Sequence, residues 1–466
     1  MQRYMGLTGK WLTVWVTVSC TTAMALFGYD QGVFGGIIVT SDFLNQMGIV
    51  DDANLQGTVT SIYDVGCFFG ALSAFTLGER LGRKRSILLG TLVMMIGAVI
   101  QVASFDVPTI IVGRIVTGLG NGLNTASAPV WQAETSKASM RGRLVVLSMI
   151  LNIAGFSLAN WMTYGFSFLS GSISWRFPLA FQIVFGIVLF ATVPWLPESP
   201  RWLIARGDDE KAAEILAALE GNGATIHHPL VVTEAKEIRY AVKLERESNV
   251  GWLNLLRGKT GEQSTCTVRR LILGAGTQAM QQLAGINVTS YYLPTVFIQS
   301  VGLEETLARL LAACNSVSYL LFSFIGIPNV ERWGRRRLMM GGAAGQCFCY
   351  LIITIMIKVV QITPIGIETL GWKFYIIWTV FNASFVPIVY IFYPETAGRR
   401  LEDIDRLYRE DSTLFVCKNK YAISPKRPLA YIEADEREVR RNSSVAAGLR
   451  KVESVDQSRF SQDEKV

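Results

Sequence analysis

The sequence predicts an all-α polytopic membrane protein built of two homologous helical bundles, with about ten membrane-crossing helices. Three observations predict it: long uncharged apolar runs, an alternation of basic and non-basic loops, and a pair of motifs that occurs twice in the same order. The runs come first. Ile87–Phe105, Ile183–Leu196 and Phe374–Tyr393 contain no charged residue. A hydrocarbon core takes about 20 apolar residues in helical form. In lipid every backbone N–H and C=O must be satisfied within the chain, which leaves helices or closed barrels. These runs are continuous rather than alternating, so they read as helices. The composition agrees, with 50% hydrophobic and 17% charged residues and a mean hydropathy of +0.32. Soluble domains carry about 25% charged residues.

The candidate crossings are residues 11–37, 57–77, 86–105, 109–130, 145–166, 176–196, 270–298, 305–328, 338–360 and 374–393. They divide the chain into a cytoplasmic N-terminus (1–10), a bundle of six helices (11–197), a polar helical linker (198–269), a second bundle (270–398) and a polar tail (399–466). The linker holds charged, helix-compatible stretches, and the tail interleaves Ser, Glu, Lys and Arg as disordered segments do. Loops 79–85, 137–143 and 331–337 are strongly basic, whereas 38–56 and 104–108 carry only acidic charges. Positive loops stay inside, so the basic loops and both termini are expected on the cytoplasmic side.

The same features exclude other classes. The net charge of +7 is spread over short loops between apolar runs, so no nucleic-acid partner is expected. The seven cysteines form no CxxC pair, Cys347 and Cys349 are too close for a zinc knuckle, and His227 and His228 are adjacent in a polar loop. No metal or other cofactor is expected. No nucleophile–base set or phosphate loop appears, which argues against an enzyme.

The repeat is directional. Glu79-Arg80-Leu81-Gly82-Arg83 recurs as Glu331-Arg332-Trp333-Gly334-Arg335, and Pro197-Glu198-Ser199 as Pro394-Glu395-Thr396. Two copies in one orientation imply halves related by an axis along the membrane normal. The copies are unequal: the two motifs begin 118 residues apart in the first half, at 79 and 197, and 63 apart in the second, at 331 and 394. The shortfall of 55 residues amounts to about two crossings and a loop at about 1.5 Å rise per residue. Losing two crossings keeps the topology in phase.

Eight motifs in order resemble the sugar-porter family of the major facilitator superfamily, its fungal members above all. They are FGYDQGVFGG (27–36), GERLGRKR (78–85), GRIVTGLGNG (113–122), PVWQAETSKASMRGR (129–143), PESPRWL (197–203), QQLAGIN (281–287), ERWGRRR (331–337) and PETAGRRLEDID (394–405). The resemblance implies the major facilitator fold of twelve helices and alternating access around a midplane site. After Gln361 the sequence continues like the end of the eleventh family helix and then the twelfth. The tenth helix and most of the eleventh are therefore missing, in agreement with the repeat. An incorrect gene model or a skipped exon accounts for this; a natural ten-helix protein is the alternative.

Asp30 sits inside the first crossing and Arg114 near the start of the fourth. A charge at a helix centre in lipid costs about 2.5–3.5 kcal/mol on insertion scales, so such residues face an interior or a path. The two are expected to pair. The resemblance assigns them to proton coupling, with protonation of Asp30 releasing its hold on Arg114; a static buried ion pair is the alternative. Asp64 has no motif behind it and reads as a polar residue facing a cavity, or as a second proton carrier. Gln281, Gln282, Asn287, Tyr291 and Tyr292 lie along the seventh crossing and do not share one face of a straight helix; a break near Gly285 would bring them together. Amides and phenols bond hydroxyls without a charge to desolvate, which suits a neutral sugar or polyol. The resemblance gives QQLAGIN the same role and adds Asn315 of the eighth crossing; alternatively, these amides only knit helices together. Met149 stands where the family has a sugar-binding glutamine. Glu79, Arg80, Arg83, Glu134, Arg141, Glu198, Arg201, Glu331, Arg332, Arg335, Glu395 and Arg399 resemble the family's cytoplasmic gate, which implies a latch between the halves; the basic ones also act as a topology signal. Glu79 replaces the usual Asp, and Phe75 the usual Gly.

The expected function is plasma-membrane import of a neutral, hexose-like sugar or polyol with protons, in a lipid bilayer. The alternatives are an inactive product of a defective gene model and a nutrient sensor on the same fold.

Overall fold

The computed structural model describes residues 4, 7–50, 52–136, 138–221, 223–247, 267–286, 292–360, 373–396, 404, 407–408, 415–424 and 433. The first bundle contains α1 (Lys10–Ile37), the short α2 (Ser41–Met47), α3 (Ala53–Leu81), α4 (Arg83–Val102), α5 (Val107–Thr135), α6 (Ala138–Phe166) and α7 (Ile173–Thr192). Three helices follow: α8 (Pro200–Arg206), α9 (Asp209–Glu220) and α10 (Pro229–Glu247). The second bundle contains α11 (Thr267–Leu283), α12 (Leu293–Val301), α13 (Glu305–Ser323), α14 (Gly326–Arg332), α15 (Arg335–Val360) and α16 (Lys373–Phe392), and α17 (Lys420–Ile423) lies beyond it.

Eight spans among the described residues are long and apolar enough to cross a membrane: Lys10–Ile37, Asn54–Leu81, Arg83–Val102, Gly142–Phe166, Ile173–Trp195, Glu305–Val330, Arg335–Ile355 and Tyr375–Phe392. Two of the ten expected crossings fall outside that set for different reasons. Helix α5 is long but polar, because Arg114, Asn121, Asn124 and Gln132 are turned into the bundle and fully or almost fully buried. The seventh crossing is broken. Helix α11 stops at Leu283, Gly285 takes φ +88, and α12 starts at Leu293.

Small residues set the packing of the first bundle. Helix α5 lies against both α3 and α4, and α1 lies against α6. Gly66 and Gly118 approach so closely that a Cβ on Gly66 would sit 2.5 Å from the Ile115 carbonyl oxygen, and one on Gly118 2.4 Å from that of Tyr63. Where lipid supplies no hydrophobic drive between helices, close backbone approach at small residues holds them together. The second bundle is more open. Between 28% and 50% of the central window is buried in the spans of the first half, against 17–22% in the second. Helices α15 and α16 pack as their counterparts α4 and α7 do. The helices that would repeat α5 and α6 against α13 and α11 are the ones that the repeat arithmetic finds missing, and only residues 361–372 separate α15 from α16.

Candidate functional site

Three helices of the first bundle meet at Asp30. On α1, Asp30 is 0% exposed. Its Oδ2 accepts a hydrogen bond from Asn121 Nδ2 on α5 at 2.8 Å, and the Tyr63 hydroxyl on α3 also bonds to the carboxylate. Asn121 Nδ2 donates in turn to Tyr63 Oη at 3.1 Å, which closes a triangle. Arg114 is the charged partner that the sequence predicts, but the contact is loose. Its Nη1 lies 3.9 Å from Asp30 Oδ1, and neither atom has a hydrogen-bond partner. The guanidinium is fastened to α3 instead: Nη2 donates to the Thr60 carbonyl at 2.7 Å and Nε to that of Val59 at 3.3 Å. It also stacks 3.8 Å from the Phe34 ring centroid and 4.7 Å from that of Tyr63. Asp64, one turn beyond Thr60, is exposed and within the field of Arg114.

The break after α11 brings the second half to this cluster. Gly285 has room for no side chain, since a Cβ there would strike the Tyr350 hydroxyl. Asn382 of α16, fully buried, donates to the Ala284 carbonyl at 3.3 Å and to that of Trp378 at 2.8 Å, and so holds one of the carbonyls that the break frees. Tyr292 then starts α12 with its phenol against Thr60 and within the fields of Asp64 and Arg114. Gln281 and Gln282 occupy the last turn of α11 and are exposed, as is Asn315 on α13. Asn287 and Tyr291 lie outside the described residues. Met149, which stands in for the expected glutamine, is 46% exposed on α6.

At the end that carries the basic loops, the two repeats fold alike. Gly82 takes φ +87 between α3 and α4, and the Glu198 carboxylate accepts from the backbone N–H of Arg83 at 3.0 Å, of Lys84 at 3.2 Å and of Ser199 at 3.0 Å. It thereby caps the N-terminus of α4, where orphan N–H groups and the helix dipole favour an anion. Gly334 takes φ +83, and Glu395 accepts in the same way from Arg335 at 2.9 Å, Arg336 at 3.2 Å and Thr396 at 2.9 Å. The arginines differ. Arg83 forks onto Glu134 with two bonds of 3.1 Å. Arg335 donates to the Thr396 carbonyl at 2.7 Å and to its hydroxyl at 3.0 Å, because the counterpart of Glu134 falls in the stretch that the second half lacks. These bonds each run within one half, whereas the resemblance implies a latch between the halves. Glu79, Arg80 and Arg332 are exposed. The Glu79 carbonyl accepts from Trp202 Nε1 at 2.9 Å and the Arg80 carbonyl from Arg206. Arg201 is half-buried. Arg399 and the side chains of Arg141 and Glu331 lie outside the described residues.

Sequence reasoning missed four residues. Asn121 and Tyr63 bond Asp30; the spacing of Asn121, seven residues after Arg114 and so on the same face of α5, was the available signal. Asn382 is the third. Arg309 on α13 is the fourth: 3% exposed, it donates to Thr40 Oγ1 at 3.0 Å and Glu305 Oε1 at 2.6 Å, with the Thr163 carbonyl at 3.5 Å. It clasps the first half at the end opposite the basic loops. Deeper in the interface, Ser316 Oγ donates to Ser157 Oγ at 3.0 Å.

The chain is similar to known proteins over most of its length. The sugar (and other) transporter family matches residues 15–361 and 357–408. The match splits at 357–361, where the repeat places the shortfall. The MFS-type transporter oryC of Aspergillus oryzae is 49% identical over 508 aligned positions, covering 95% of this chain and 94% of its own. That alignment is longer than the 466 residues of this chain, so the relative carries residues that this chain lacks. The sugar transporter STL1 of Saccharomyces cerevisiae is 32% identical, covering 88% and 84%. Among solved structures, a double-tryptophan mutant of XylE superposes with a TM-score of 0.72 at 22% identity, covering 86% of this chain and 99% of that one. The proton:xylose symporter XylE bound to a bromodeoxyglucose superposes with a TM-score of 0.64 at 24% identity, covering 82% of each. The fold is that of the major facilitators, and the chain belongs to the sugar porter family of the major facilitator superfamily.

Proposed function

We propose that this chain imports a neutral, hexose-like sugar or polyol together with protons by alternating access, in the plasma membrane and with both termini in the cytoplasm. One observation carries the reading: an acid, Asp30, is wholly buried inside a crossing helix, and the same cluster touches Tyr292 at the break of a second-half helix. A buried ionisable group in a membrane helix marks a transport path, and its link to the broken helix gives protonation a route to the substrate. Gln281, Gln282, Asn287, Tyr291, Tyr292 and Asn315 bind the hydroxyls in this reading. Asp30 and Arg114 carry the proton coupling, and the acid–arginine group around Glu198 and Glu395 gates the cytoplasmic end.

The test is uptake of a labelled hexose panel and glycerol in a transporter-null host. Uphill accumulation is expected, with collapse by a protonophore. Asp30→Asn is expected to abolish accumulation while leaving exchange; unchanged accumulation in Asp30→Asn removes the proton role.

A second reading is favoured by the split family match and by the bonding of Arg335: the chain as written is inactive and its function belongs to a form with the missing helix pair. The same assay run on a chain with that pair restored separates the two. Activity of the restored chain alone supports the second reading.

A further inference from the structure

In the expected mechanism, protonation of Asp30 releases Arg114. The geometry argues for a different responder. Arg114 lies 3.9 Å from Asp30, beyond hydrogen-bond range, and is held by two carbonyls of α3 and by the rings of Phe34 and Tyr63. The two carbonyl bonds and the Phe34 contact do not involve Asp30. The groups that do bond the carboxylate are Asn121 and Tyr63.

We propose that Asn121 is the positioning residue that reads the proton on Asp30, donating its amide N–H to the carboxylate and turning to accept from the carboxylic acid. The inference rests on the proton-coupling reading above. An ionised carboxylate only accepts, so the amide must present its NH2 side, as it does at 2.8 Å. A protonated Asp30 carries an O–H that needs an acceptor. Asn121 Oδ1 is fully buried and has no partner, so a half-turn of the amide places it on that O–H. The turn takes the amide N–H away from Tyr63 Oη, 3.1 Å distant, and the change of state passes to α3 and from there to Thr60 and Tyr292. The proton itself moves only onto and off an Asp30 oxygen.

Asn121→Leu removes both roles at similar volume, and Asn121→Asp keeps the shape but sets a second acid beside Asp30. The test is infrared titration of the purified full chain in nanodiscs with no substrate, following the carboxylic-acid band identified by its loss in Asp30→Asn. Asn121→Leu loses a charge-assisted bond to the carboxylate and a weaker neutral bond to the acid, so the difference favours the acid and the midpoint is expected to move up by about one pH unit. Asn121→Asp is expected to move it further, since adjacent carboxylates share a proton. Tyr63→Phe is expected to give a smaller shift in the same direction. A packing role alone would lower yield or stability and leave the midpoint in place. An unmoved midpoint in both folded Asn121 variants, with the band still titrating, overturns the proposal and leaves proton coupling standing. If no titrating band disappears in Asp30→Asn, the coupling reading itself fails.

Discussion

Gly82→Ala should strongly destabilise the end of the first bundle that carries the basic loops. Gly82 sits at φ +87, ψ 175, a region essentially reserved for glycine, where an L side chain costs about 1–3 kcal/mol. Its added Cβ would also lie 2.6 Å from Glu198 Oε2 and 3.0 Å from Cδ of the same carboxylate. Glu198 cannot retreat without losing the Arg83, Lys84 and Ser199 N–H bonds. Bonds to a charged group contribute about 1.5–3 kcal/mol each when intact, and partial relaxation saves some of that. The expected total is about 3–5 kcal/mol. Gly78→Ala is the internal control four residues earlier. Gly78 is helical, and its added Cβ would meet only Arg83 Nη1 at 3.8 Å, so the change should be neutral or stabilising by up to about 1 kcal/mol. The assay is thermal unfolding of detergent-solubilised protein, read by loss of the monodisperse peak in size-exclusion chromatography. A large drop in melting temperature for Gly82→Ala and none for Gly78→Ala is expected. Equal melting of Gly82→Ala and the parent would refute the claim that this glycine exists to let Glu198 cap α4.

Three further outcomes follow from the same geometry. Arg83→Ala should cost about 2 kcal/mol, because it strands the half-buried Glu134, whereas Arg335→Ala should cost about 1 kcal/mol for its bonds to the neutral oxygens of Thr396; equal melting shifts for the two would contradict the assigned partners. With Thr163→Cys as reporter, which keeps the carbonyl facing Arg309, Arg309→Ala should speed labelling by an impermeant maleimide from the side opposite the basic loops by about tenfold, the equivalent of ~1.4 kcal/mol of lost clasp; an unchanged rate argues that Arg309 closes nothing. Sequencing of transcripts across codons 355–365 should reveal an additional exon encoding about two crossings, and continuous reads without one would establish a natural ten-helix chain.

Much of this molecule is legible without coordinates, and the reasons are local. Hydropathy is a property of each residue, so the crossings emerged from runs such as Ile87–Phe105. Length is additive, so the distance between ERxGR and the PE motif revealed the shortfall to which both the open second bundle and the split family match correspond. A lone acid in an apolar run is conspicuous, so Asp30 stood out. The tertiary structure decided what is non-local. Whether Gly285 ends a helix depends on what waits for the freed backbone, here Tyr350 and Asn382, 65 and 97 residues further along the chain. Whether Glu198 reaches across to the other half or down to the N–H groups of α4 depends on how α8 docks beside Gly82. Asn121, in plain sight inside GRIVTGLGNG, becomes a partner of Asp30 only because α1, α3 and α5 converge there. Periodicity says which residues share a face; which faces meet is settled by packing, since close contact between small residues on distant segments is a relation that no single segment carries.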